Sequence, residues 1–286
     1  MKILGIHKPL WDALQEAPKR GTVHSIFDKV VNVALLDGQM VSLLSSSMDD
    51  GPYALILEEK NFSSLGIHVQ DPVVLTKELV TMGPKAWILK DLRLYELSLP
   101  RYRYTPQVKR HVETLVKNLE KIQEHVTTPY EETLQKMLQE GLWALKEALV
   151  KEDKGLFMEG AKKLLGLGQG LTPTGDDVLL GALLVLSLKE QPLRKVRDYY
   201  EELLPLAKEA TNQLSYVGLQ RGVEGYFRKD LLDFMEALWT QKSMTKPLEK
   251  VLSIGHSSGR DMLQGMVLVL KIFMEKEKEN GNKNTH

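Results

Sequence analysis

Two short stretches of the chain place glycine, hydroxyl side chains and aspartate directly before an apolar run. The first is Thr174-Gly-Asp-Asp177, and the second is Ser258-Gly-Arg-Asp261. A carboxylate in the first turn of a helix is favoured by the positive end of the helix, so these positions suit functional acids. We therefore predict that the catalytic residues are Asp176, Asp177 and Asp261.

The two stretches form an ungapped repeat. The offset is constant (259 − 175 = 84), and seven of the twelve positions from Gly175 onward are identical. The repeat pairs Asp177 with Asp261 and Asp176 with Arg260. Internal similarity usually reflects repeated structure, which predicts a pseudo-twofold pair of buried helices whose first turns converge on one ligand. The alternative is that two core helices share a capping pattern.

Each repeat has a second glycine inside its apolar run, Gly181 in the first and Gly265 in the second. Glycine inside a helix costs about 0.5–1 kcal/mol relative to alanine. Because this cost recurs at the same place, we expect the two helices to be in close contact at these glycines.

A glycine-rich segment precedes the first helix, with Gly166, Gly168 and Gly170 at alternate positions. This spacing suits neither a helix nor a strand interior and predicts a loop. Two helix starts are then compatible with the sequence. Thr172 before a proline is typical of an N-cap, and Thr174 with an acid three residues later is typical of a capping box.

A loop that enters a helix presents backbone N–H groups, which favour a phosphate or carboxylate. Hydroxyls and an arginine would add donors, whereas the acids would suit an amide or ammonium end beside the anionic end of the ligand. We expect a small anionic ligand to be bound by Gly168, Gly170, Thr172, Thr174, Gly175, Thr211, Ser215, His256, Ser257, Ser258, Gly259 and Arg260.

Two other kinds of chemistry are weaker. The aspartates are oxygen ligands of the sort that magnesium prefers, but adjacent residues on a helix point about 100° apart. We therefore expect no metal and no cofactor. His256 beside two serines suggests a Ser–His pair, yet neighbours in a loop rarely have the required geometry.

The segment from Thr211 to Gly222 is rich in small and polar residues. Thr211, Ser215 and Gly218 share one helix face by their spacing. This face either lines a ligand cavity or lets helices approach closely while the hydroxyls bond to their own carbonyls.

Composition limits the classes of function. Lysine plus arginine and aspartate plus glutamate number 38 each, which gives no argument for nucleic-acid binding. Cysteine is absent, so disulfides and thiolate sites are excluded. No signal peptide or membrane-spanning apolar stretch is visible, and we expect a soluble cytoplasmic protein.

The chain divides by pattern into two predicted domains of an α+β protein. Residues 1–100 are predicted to be strands and turns, with a hairpin at Asp37-Gly38, forming a small antiparallel β barrel or sandwich. Residues 101–286 are predicted to be a helical bundle on which the β domain packs. One apolar stripe runs from Val108 to Ile122, and the chain ends in a polar tail at 275–286.

These motifs resemble the AllH family. The resemblance rests on four segments and so covers most of the chain: His24–Phe27, Gly166–Asp177, Thr211–Ser215 and Gly255–Gly265. It implies a subunit of a bacterial oxamate carbamoyltransferase that acts on oxamate or oxalurate in purine (allantoin) catabolism.

The same resemblance implies other subunits of the transferase complex as partners, and it allows a homo-oligomer. The chain lacks the Ser-Thr-Arg-Thr phosphate loop of better-known carbamoyltransferases. Two alternatives therefore stay open: a non-catalytic ligand-binding or assembly subunit, and a metal-dependent hydrolase.

Overall fold

The computed structural model describes residues 1–121, 128–240 and 243–283. The end of the predicted stripe, Ile122, and the last residues of the polar tail, 284–286, lie outside the described residues. The chain divides into two compact units, one of Met1–Ser98 with Phe227–Asp230 and one of Leu99–Tyr226 with Leu231–His286. The first is rich in strands and the second is helical, which confirms the predicted α+β class.

The first unit is a single curled sheet with one helix. Its elements are β1 (Ile3–His7), α1 (Lys8–Glu16), β2 (Lys19–Ile26), β3 (Val30–Leu35), β4 (Met40–Ser45), β5 (Ala54–Leu57), β6 (Pro72–Leu75), β7 (Leu79–Met82), β8 (Lys85–Ile88) and β9 (Arg93–Tyr95). The strand order is β8-β7-β6-β2-β3-β4-β5-β1-β9.

The sheet bends towards closure. Lys2 forms a bridge with Ile88 in the edge strand β8, and the Ile88 N–H donates to the Met1 carbonyl at 3.2 Å. The first and last parts of the sheet therefore meet, and the sheet forms a half-barrel around one apolar core. Two strand pairs, β4–β5 and β1–β9, are parallel, and the other paired neighbours are antiparallel.

The predicted hairpin joins β3 to β4, and Gly38 adopts a φ of 83°, a conformation that glycine accepts readily. Helix α1 was not expected in a region predicted to hold only strands and turns. It buries Leu10 and Leu14, which lie one turn apart, and it carries a proline in its first turn, where the missing N–H costs nothing.

The helices of the rest of the chain are α2 (Pro106–Lys121), α3 (Pro129–Lys151), α4 (Lys154–Leu164), α5 (Thr174–Leu186), α6 (Arg194–Ala210), α7 (Gln213–Val223), α8 (Lys229–Trp239), α9 (Thr245–Leu252) and α10 (Ser258–Lys283), and the second unit contains all of them except the first two residues of α8. The central helix of the second unit is α5, in which 11 of 13 residues are buried. Such a helix needs neighbours on nearly every side, as the apolar sequence predicts.

Helices α5 and α10 cross in the predicted pseudo-twofold manner. A Cβ atom at Gly181 would lie 1.9 Å from the Met262 carbonyl oxygen, and one at Gly265 would lie 1.9 Å from the Val178 carbonyl oxygen. The repeat offset converts one contact into the other, since 178 + 84 = 262 and 181 + 84 = 265. Each glycine therefore lets the backbone of the other helix approach closely.

Candidate functional site

Helix α5 begins at Thr174, and neither predicted cap forms, because no side chain caps its first turn. The Thr172 hydroxyl instead donates to Asp177 Oδ2 at 3.0 Å and lies 2.8 Å from the Ser258 hydroxyl. Thr172 therefore bonds to a carboxylate and to a second hydroxyl instead of capping a backbone N–H group of the helix. Thr172 joins the start of α5 to the start of α10.

The two helix starts exchange side-chain contacts. The Ser258 hydroxyl lies near enough to Asp177, and the Thr174 hydroxyl near enough to Asp261, to lower the pKa of each aspartate. These two contacts are also related by the repeat, since 174 + 84 = 258 and 177 + 84 = 261. The structure therefore brings Asp177 and Asp261 to one place at the paired starts of α5 and α10.

Burial is the main influence on Asp177, whose side chain is almost wholly removed from solvent. It raises the pKa of Asp177 to about 7. Hydrogen bonds from Ser258 and Thr172 oppose this change, while the charges of Asp261 and Asp176 add to it. Asp177 can therefore hold or release a proton near neutral pH.

Asp261 is 1% exposed, and burial raises its pKa, whereas the Arg260 charge lowers it. Arg260 Nη2 lies 3.5 Å from Asp261 Oδ1. The hydroxyls of Ser257 and Thr174 are near enough to the carboxylate to lower its pKa. Even so, Oδ2 has no partner within hydrogen-bond geometry among the described residues.

Asp176 is directed towards the loop that precedes α5. Its Oδ1 accepts the Gly166 N–H at 2.9 Å, and its Oδ2 accepts the hydroxyl of Thr211, the residue that follows α6. Ser215, buried in α7, lies near enough to this carboxylate to lower its pKa. Burial raises the pKa of Asp176, and the Gly166 N–H, Thr211 and Ser215 lower it. Asp176 therefore fixes the loop to α6 and α7.

The glycine-rich loop depends on positive φ angles at Gly166 and Gly168, 70° and 120°. A Cβ atom at Gly166 would lie 2.3 Å from the Ala210 carbonyl oxygen, and one at Gly168 would lie 2.7 Å from the Thr174 nitrogen. Gly170 has no neighbour within 4 Å of such an atom and is exposed. The loop is thus packed at its base and open to solvent at its tip.

Most backbone N–H groups at the two helix starts are already used. Gly175 donates to the Leu167 carbonyl at 2.9 Å, and Asp176 and Asp177 donate to the Pro173 carbonyl at 3.0 and 3.1 Å. At the other start, the N–H groups of Gly259 and Asp261 donate to the carbonyls of Ile254 and Ser257 at 3.1 and 3.0 Å. A ligand would therefore be bound mainly by side chains.

Gly175 and Gly259 have a packing role in the structure. A Cβ atom at Gly175 would lie 1.9 Å from the Leu164 carbonyl oxygen in α4, and one at Gly259 would lie 1.8 Å from that of Val251 in α9. The preceding helix thus packs on each motif glycine. His256 is exposed on the turn before α10.

The structure singles out one further polar residue near the start of α10 that the sequence did not suggest. Gln264 Oε1 is buried and has no hydrogen-bond partner among the described residues. In the repeat Gln264 occupies the position of Leu180, so a polar residue replaces an apolar one. That difference between otherwise similar helices was the signal available in the sequence.

Over the described ranges, no group of three or more histidine, aspartate or glutamate side chains is arranged to hold a metal ion. None of the helices described there is both long and apolar enough to cross a membrane.

The chain thus combines a half-barrel, followed by helices, with two repeated helix starts around buried aspartates. Two family models match the chain. Residues 2–93 match the AllH family N-terminal domain, and residues 164–270 match the oxamate carbamoyltransferase subunit AllH. The chain therefore belongs to the AllH family. No solved structure gives a significant match.

Proposed function

We propose that this chain is a subunit of an oxamate carbamoyltransferase of bacterial purine (allantoin) catabolism. The membership of both its strand-rich part and its helical part in the AllH family carries the proposal. Because the family is that of a subunit, the chain works with companion subunits in the cytoplasm.

The reaction transfers a carbamoyl group between oxalurate and phosphate. The bond from the carbamoyl carbon to the oxamate nitrogen breaks, and a bond from that carbon to a phosphate oxygen forms. One proton passes from phosphate to the oxamate nitrogen. Oxalurate and oxamate each combine amide N–H groups with a carboxylate, which are the two kinds of group that the site residues suit.

We assign ligand binding to the paired starts of α5 and α10, in the helical domain of residues 101–286, and treat residues 1–100 as a separate domain. Asp177 has a pKa near 7 and can take part in the proton transfer. Arg260 supplies positive charge towards the anionic end of the ligand. Asp176 holds the loop through Gly166 and Thr211.

The experiment compares the purified chain alone with the chain assembled with the proteins encoded beside it. Carbamoyl phosphate formed from oxalurate and phosphate is measured. We expect little activity from the isolated chain and a large gain on assembly. Full activity from the isolated chain would overturn the subunit assignment, and no transfer by the assembled complex would overturn the function.

Variants of the assembled complex test the site. Asp177→Asn and Asp261→Asn should each lower the transfer rate by at least tenfold while assembly is retained. Asp198→Asn, at an exposed position of α6, is the matched control and should leave the rate unchanged. Equal transfer rates for all three variants would show that the paired helix starts take no part in the reaction.

A further inference from the structure

Two buried oxygen atoms on α10 have no hydrogen-bond partner among the described residues: Asp261 Oδ2 and Gln264 Oε1. Buried polar atoms are paired in the large majority of cases, because an unpaired one loses its bond to water without replacement. Asp261 is 1% exposed, so its free oxygen is not compensated by bulk solvent. Two unpaired acceptors on one helix therefore indicate missing donors.

The two acceptors belong to the same part of the site. Asp261 and Gln264 are three residues apart, which places them on one face of the helix. Side chains on a helix lean towards its N-terminus, so the Gln264 side chain extends over the turn that carries Asp261. Gln264 as a whole is partly buried, whereas Asp261 is 1% exposed.

The surroundings select the kind of donor. Arg260 Nη2 lies 3.5 Å from the other oxygen of Asp261, so a positive charge already accompanies this carboxylate. Arg260 opposes a second cation at this position, and the nearby carboxylate of Asp177 opposes an anion. The backbone N–H groups of Gly259 and Asp261 donate to carbonyls of the preceding turn. What fits is an uncharged group with two N–H bonds.

We propose that Asp261 and Gln264 bind the NH₂ group of a primary amide or carbamoyl ligand, which donates one hydrogen to Asp261 Oδ2 and the other to Gln264 Oε1. This inference rests on the proposed function and narrows it, because it places the nitrogen end of the ligand on α10. Gln264 then determines specificity by recognising N–H against oxygen.

The other half of the repeat does not offer the same arrangement. The equivalent oxygen, Asp177 Oδ2, already accepts the hydroxyl hydrogen of Thr172. The position equivalent to Gln264 is Leu180, which has no acceptor. The pseudo-symmetric site therefore binds the NH₂ group at one end only, and the ligand has a single orientation.

The test compares oxamate with oxalate, which has a carboxylate oxygen in place of the amide nitrogen. Binding of both is measured by calorimetry on the assembled complex and on the isolated chain. We expect oxamate to bind at least tenfold more tightly than oxalate to the wild type. Gln264→Leu, which copies the residue at the equivalent position, should weaken oxamate binding about tenfold and leave oxalate binding unchanged, so the preference collapses.

Gln139→Leu is the matched control, since this glutamine is exposed on α3, and it should keep the wild-type preference. A Gln264→Leu protein that is folded and retains the full preference overturns the inference, as does binding of neither anion to either preparation. If the assembled wild type transfers carbamoyl groups and Gln264→Leu still prefers oxamate to oxalate, the inference is wrong but the proposed function stands. A preference lost in that variant, without any carbamoyl transfer by the assembled wild type, contradicts the proposed function alone.

Discussion

The hydroxyl oxygens of Thr172 and Ser258 lie 2.8 Å apart, although 86 residues separate them in the chain. Thr172 also donates to Asp177, so one side chain contacts both halves of the repeat. The glycine loop before α5 and the first turn of α10 are thereby joined next to the buried aspartates.

Thr172→Val should destabilise the protein by about 1–3 kcal/mol, because it removes the hydroxyl bonded to Asp177 and Ser258 and leaves buried polar atoms unpaired. The Thr172 bond favours the ionised form of Asp177, so the loss should be larger at pH 8 than at pH 5. Denaturant unfolding at both pH values measures it. Thr172→Ser keeps the hydroxyl and serves as the control; an equal loss in both variants would assign the effect to packing.

Asp177→Asn should change how stability depends on pH. The folded-state pKa of about 7 lies above the ordinary aspartate value of 3.8, so both states are protonated below about pH 4. Between about pH 4 and 7 the unfolded chain ionises first, and the wild type loses up to about 4 kcal/mol as pH rises. Asparagine cannot ionise and removes this contribution.

Thermal unfolding of ligand-free protein at pH 5 and pH 8 measures this difference. The stability of Asp177→Asn minus that of the wild type should be clearly more positive at pH 8 than at pH 5. Asp198→Asn, at an exposed site, should track the wild type. A constant difference between Asp177→Asn and wild type at both pH values would show that Asp177 keeps an ordinary pKa.

Gly181→Ala should destabilise the protein by roughly 1–3 kcal/mol, because the new Cβ atom would lie 1.9 Å from the Met262 carbonyl oxygen and the helices must separate. Gly218→Ala on α7 is the control. Its Cβ atom would have Leu180 Cδ2 as nearest neighbour at 3.8 Å, an ordinary contact. This control should be neutral or gain about 0.5–1 kcal/mol. If Gly181→Ala is as stable as Gly218→Ala, the close crossing is absent.

Asp176→Ala should release the base of the glycine loop, because Asp176 accepts the Gly166 N–H and the Thr211 hydroxyl. The Gly166 amide should then exchange with solvent deuterium at least tenfold faster, as measured by amide exchange at residue resolution. Asp177→Asn leaves that bond in place and should not alter Gly166. An unchanged exchange rate of the Gly166 amide in Asp176→Ala would show that Asp176 does not hold the loop in place.

The crossing of α5 and α10 was predictable because the repeat recorded it directly in identical residues at a constant offset. The role of Thr172 was not predictable, because a hydroxyl near a helix start can bond either to the backbone or to a carboxylate. Only the folded structure shows which partner lies within reach. The parallel pairing of β4 with β5 depends on long-range strand order, which local pattern does not encode. Gln264 was not predicted because it stands where the first repeat has Leu180, and the shared pattern of the repeat contains only the identical residues.

The two backbone contacts at Gly181 and Gly265 limit how this protein can move. A helix pair that touches through side chains can shift by changing rotamers, whereas backbone atoms in contact cannot yield in that way. Sliding α5 along α10 would drive each carbonyl into the opposite helix, so the spacing between Asp177 and Asp261 is held constant. For the ligand proposed above, the helices would act as a fixed frame, and movement would be confined to the loop tip around Gly170, where a Cβ atom would meet nothing within 4 Å.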